Sequence, residues 1–205
     1  MNNTEVMTAC ENVCRDFSWL ADGLPIAANL ATVLAFLLAC FALNNWRKQA
    51  RHAKLSELAV IIITRARTIR QNTEFASSYS SDIDNDLLLG KQIAELNYGF
   101  IRRGVAAKSE SEEAAYVLEL MDALDHSSEQ AFKTLIESFL KIQAAFDLIS
   151  SVDPLDPRLS DQSKTFIEQN IKIVLHKDTS ACETIAQTTQ KLEETLAPLV
   201  TFGAN

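Results

Sequence analysis

Glycine and proline are scarce, five and four in 205 residues, and neither occurs between Ile26 and Leu89. So few turn formers cannot punctuate a many-stranded sheet, and the 47% apolar content then points to helix. No run of alternating β-branched residues bounded by turn signals occurs, so strands find no support. The phosphate cradles G-x-x-x-x-G-K-[ST] and G-x-G-x-x-G are absent, and so is H-E-x-x-H. His52, His126 and His176 follow Gln49, Ala123 and Ile173 at a spacing of three, so the paired E-x-x-H of a di-iron carboxylate bundle is missing too. Of the four cysteines, Cys10 and Cys14 share a helical face but have no histidine beside them. Cys40 and Cys182 are too far apart in the sequence pattern to pair. No cofactor, no metal and no enzymatic activity are expected.

What the chain does have is Leu24 to Leu43, twenty residues without a charge, interrupted only by Asn29 and Thr32. At about 1.5 Å per residue such a helix crosses the ~30 Å hydrocarbon core of a bilayer. It satisfies its backbone polar groups internally, as a spanning segment must. Trp19 and Trp46 flank it 27 residues apart, roughly 40 Å of helix, and serve as interfacial anchors. Pro25 suits a first helical turn, with Asp22 as its cap.

Charge orients the span. Residues 1–23 hold Glu5, Glu11, Asp16 and Asp22 against Arg15 alone, whereas Arg47, Lys48, Arg51 and Lys54 follow the span as a topology signal or a lipid-headgroup contact. The positive side stays in the cytoplasm, which places the N-terminus outside and the rest inside a cell's inner (plasma) membrane. Leu37-Leu38-Ala39-Cys40 resembles the lipobox of bacterial lipoproteins. The acidic segment before the span and the basic run after Cys40 argue against cleavage and export there.

Ala27, Ala31, Ala35 and Ala39 recur at every fourth position and lay a smooth ridge along the span. Ridges of this kind let helix backbones approach closely, so self-association is expected. Beyond the span, Leu55, Leu58, Ile62, Ala66 and Ile69 keep a helical stripe, and seven Lys or Arg between Arg47 and Arg70 face one acid, Glu57. Residues 111–205 hold sixteen acidic and seven basic side chains, a net charge of −9. Arg65, Arg67 and Arg70 are therefore expected to find acidic partners within the chain, and nucleic acid is excluded as a ligand for so negative a surface.

Three further segments read as helical, the middle one as a single helix or as two. The first runs from about Ile83 to Ala107, with Leu89, Ile93, Leu96 and Phe100 on one face; Gly90, Gly99 and Gly104 mark close helix approach or a helix end. The next starts at Ser109 or Ser111. Its heptad of Val117, Met121 and Leu124 slips near Asp125–Ser128, as one stuttered helix or two. Phe132, Leu135, Phe139, Ile142, Phe146 and Ile149 then alternate spacings of three and four. Ser151–Ser160, with Pro154 and Pro157, is a loop. The last helix covers Asp161 to Ala197 and ends at Pro198. Its seam is Ile167, Ile171, Val174, Ala181, Ile185, Leu192, Leu196 and Leu199, interrupted by Asp178 and Thr188.

The resulting expectation is all-α: a single transmembrane helix continuing into a cytoplasmic antiparallel four- or five-helix bundle with coiled-coil-like seams. The divisions are an exported tail (1–23), a transmembrane helix (24–43), a basic juxtamembrane stalk (44–74) and a cytoplasmic bundle (75–205). Asp122, Asp125, His126 and Glu129 form the one cluster of carboxylates with an imidazole, and read as a solvated polar face. The expected function is that of a non-enzymatic membrane-anchored scaffold, adaptor or signal relay. Its partners would be the lipid bilayer, further copies of itself and a cytoplasmic protein. The alternative is a pore-forming effector of phage or phage-defence type, against which the span offers no polar strip to line a water path.

Overall fold

In a computed structural model of the chain, the described residues are 3–78, 87–153, 156–176 and 179–201, with side chains described from residue 28 to residue 200. Among them are six helices and no strand: α1 (Asn3–Ala76), α2 (Leu87–Leu96), α3 (Tyr98–Leu120), α4 (His126–Ser151), α5 (Asp161–Leu175) and α6 (Ser180–Thr201). The chain divides into two compact units, Met1–Arg51 and His52–Asn205.

The described residues of the first unit all belong to α1. Its backbone is already helical from Asn3, so the helix does not begin at Asp22 and Pro25 as the capping pattern suggests. Proline withholds one N–H from the ladder, and here the helix-forming sequence on both sides carries the backbone through that gap.

The second unit is a helical bundle. α1 enters it with Leu55, Leu58, Ala59, Ile62, Ala66, Ile69, Thr73 and Ala76 buried, spaced by three or four so that one face of the helix meets its neighbours. Arg67 bonds Glu193 of α6 at 2.8 Å, and Ser77, just past α1, lies 3.7 Å from Cys182 near the start of α6. On the other flank, Asn97 donates to the Ala76 carbonyl (2.9 Å), Arg103 donates to Asn72 (3.1 Å), and Arg65 pairs with Glu110. In both series the numbers on the partner fall as those on α1 rise, so α3 and α6 each run opposite to α1. α4 closes the core by packing along α6 and α5, while α2 lies on α5 and α4. Its seam, Phe132, Leu135, Phe139, Ile142, Phe146 and Ile149, is buried throughout.

Several boundaries depart from the periodicity. The helix expected over residues 83–107 breaks at Asn97, whose amide is drawn aside to close α1, and α3 starts at Tyr98 rather than at Ser109 or Ser111. Ser111 is no cap; it is buried and its hydroxyl donates to the Lys108 carbonyl. In α2 the buried residues are Gly90 and Ala94, whereas Leu96 is 78% exposed. The small side faces inward because Ile171 of α5 lies where a Gly90 side chain would be: a Cβ there would sit 2.8 Å from its Cδ1. Gly104 likewise marks close approach and not a helix end, with the Phe139 ring 2.6 Å from the position of a Cβ.

The heptad slip before α4 is a break between two helices. Asp122 takes φ 50°, and Asp125 caps α4 by accepting from the Ser128 N–H at 2.9 Å. The long final helix is also two, with His176 extended and bridged to Ser78. Asp178 and Lys177 lie outside the described residues, as does Pro154. The seam of α6 then runs through Ile185, Thr189, Leu192 and Leu196, so Thr189 rather than Thr188 is the buried polar residue. Helix α6 continues past Pro198 to Thr201. A proline so near a C-terminus forfeits one bond of a turn that frays in any case.

Candidate membrane span and bundle surface

A helix that meets water on every side should carry polar residues, and α1 over residues 28–46 does the reverse. Val33, Phe36, Leu38 and Phe41 are 59%, 67%, 67% and 70% exposed. One window of 18 residues in Ala28–Ala76 has a mean hydropathy of 1.6, and none of that window is buried. This one helix is long and apolar enough to cross a membrane. Its hydroxyl at Thr32 donates back to the Ala28 carbonyl at 2.8 Å, so it presents no free donor to lipid. Ala31, Ala35 and Ala39 are exposed along this stretch, and the side chains of Ala27 and Trp19 lie outside the described residues. Trp46 is 64% exposed. Of the basic residues that follow, Arg47, Lys48 and Arg51 are exposed, and Lys54 bonds Glu57 one turn on at 3.0 Å.

Each distal arginine has an acidic partner, but only that of Arg67 lies in the acidic segment 111–205. Arg65 and Arg67 reach Glu110 on α3 and Glu193 on α6, while Arg70 bonds Glu74 on its own helix at 2.7 Å. Hydrogen bonding and charge from Glu193 raise the Arg67 pKa above its ordinary value. Such exposed pairs contribute little to stability; they mark which helices flank α1.

The acidic cluster near residue 126 divides its work locally. Asp125 caps α4, and Glu129 pairs with Lys133, which holds the Glu129 carboxyl below its usual range and raises the lysine. His126 is 93% exposed at 3.9 Å from Glu129. Among the described residues no three His, Cys, Asp or Glu converge in a way that could hold a metal ion.

Two features escaped the sequence. One is a clasp at the end of α1, where the buried Asn97 amide closes the Ala76 carbonyl, Phe75 stacks on Phe100 at 5.6 Å, and Arg103 lies 4.7 Å over the Phe100 ring. The other is the set of shallow grooves between helices. Tyr98 and Phe146, with Glu95 and Asp147 beside them, line one of about 530 Å³; α1 and α6 leave another of about 280 Å³ around Val60, Ile63 and Val200. Only the three-dimensional pairing of helices creates these, and no spacing along the chain announces them. Against known proteins, no family model, curated protein or solved structure matches the chain.

Proposed function

We propose that this chain is a single-pass protein of a cell's inner membrane, with its N-terminus outside and a cytoplasmic helical bundle that serves as a scaffold, adaptor or signal relay. The observation that carries it is the contrast within α1, apolar and exposed over residues 28–46 and buried against other helices from Leu55 onward. An exposed run of large aliphatic and aromatic side chains is stable only if something apolar covers it, and a bilayer is the solvent such a run fits. The excess of Lys and Arg after the span over residues 1–23 supports the orientation.

Self-association through the Ala27, Ala31, Ala35 and Ala39 ridge follows from the same placement, because packing of small residues drives helix association in lipid. The bundle reads as an up-and-down arrangement with coiled-coil-like seams, and its acidic exterior is offered to a protein partner in the cytoplasm. Fusing a reporter enzyme that works only outside the cytoplasm to the C-terminus should give no activity, with the product in the membrane fraction. A strongly active fusion, or a soluble full-length product, would overturn the topology. Expression with a membrane-potential dye separates this role from a pore, since a scaffold leaves the potential intact.

A further inference from the structure

Residues 111–205 carry a net charge of −9, so most of the bundle surface repels a second copy of itself. The groove between α1 and α6 is different. Its floor and walls are Val60, Ile63, Thr64, Ala197 and Val200, and Val60 is 44% exposed. Among the described residues, the charged ones lining it are one of each sign, Arg67 and Glu193, bonded to each other at its edge. Arg67 keeps 59% of its side chain accessible in that pair.

We propose that the occupant of this groove is a second copy of the chain, related by a two-fold axis that sets groove against groove. An isologous contact needs a self-complementary patch, and a neutral apolar floor edged by one cation and one anion meets that need. Across the axis, Arg67 of each copy faces the other copy's Glu193, an attraction where the rest of the surface gives repulsion. The inference rests on the self-association proposed above. Once the spans are paired, the second contact forms within the dimer at a high effective concentration, so a modest groove suffices.

The test uses the full chain in its membrane, with Cys10, Cys14, Cys40 and Cys182 replaced by alanine and one new thiol in each variant. Thr64→Cys reports the proposed contact, Glu113→Cys the opposite flank of α1, and Ala35→Cys the span. A short bismaleimide should yield a covalent dimer from Thr64→Cys at least tenfold above that from Glu113→Cys. Adding Val60→Glu, a change at an accessible position, should reduce it at least tenfold. Equal yields at residues 64 and 113, or no effect of Val60→Glu, would overturn the inference. If Ala35→Cys crosslinks and Thr64→Cys does not, the spans associate and the groove is not their second contact. If neither does, self-association fails as well.

Discussion

Removing the Asn97 amide should loosen the end of α1 more than its size suggests. Asn97 is 2% exposed, and its Nδ2 donates at 2.9 Å to the carbonyl of Ala76, a fully buried residue. Asn97→Ala strands that carbonyl without a partner and without water, a loss worth about 1–3 kcal/mol. The chain supplies its own reporter. Cys182 is 7% exposed, and its sulfur lies 3.7 Å from the Ser77 hydroxyl and 3.8 Å from the His176 carbonyl. A reagent therefore reaches it only when the end of α1 parts from the start of α6. With the other cysteines replaced by alanine, and under conditions where reclosing outpaces labelling, the rate of maleimide modification follows the opening equilibrium. The stated loss then corresponds to about a 5- to 150-fold faster reaction. Gln169→Ala, a change at an exposed position of α5, should leave the rate within twofold. An Asn97→Ala rate equally close to that of the parent would refute the idea that this bond holds α1 in the bundle.

Three more outcomes follow from the same packing. The Thr73 and Thr189 hydroxyls are buried without a hydrogen-bond partner among the described residues, so Thr73→Val and Thr189→Val should each raise the thermal midpoint of the bundle, by the removal of roughly 1–3 kcal/mol of desolvation penalty; a lowered midpoint would mean the hydroxyls are satisfied. Gly104→Ala pushes a methyl toward the Phe139 ring and should destabilise by about 1–3 kcal/mol in a urea titration, whereas Gly99→Ala, with only the Arg103 side chain near, should not. Ser128, through its side chain and its backbone N–H, holds the Asp125 carboxyl below its ordinary pKa. A lowered folded pKa means the unfolded chain binds more protons, so the cap's stabilisation is present above the ordinary carboxylate value of about 4 and fades as pH falls through the folded one. The difference in midpoint between the parent and Asp125→Ala should accordingly shrink on acidification below about pH 4; a constant gap down to pH 2 would contradict the cap.

The parts of the fold that the sequence displays are those set by one helix at a time. The α4 seam from Phe132 to Ile149 and the α1 stripe from Leu55 to Ile69 are buried as their three- and four-residue spacings require, because apolar period alone decides which face turns inward. Boundaries set by a neighbour are not displayed. Asn97 breaks a good helical pattern because its amide serves another helix, and α2 turns Gly90 and Ala94 inward because Ile171 lies against them. Thr189 takes the core position that a strict heptad assigns to Thr188, since α6 follows its own spacing after the break at His176. The same division holds for function. Residues 28–46 state their preference for an apolar solvent in their own composition, whereas the grooves beside α1 exist only once α3 and α6 have paired with it. The grooves of the bundle are thus surfaces composed of several helices, and single-residue patterning along any one helix is a poor guide to them.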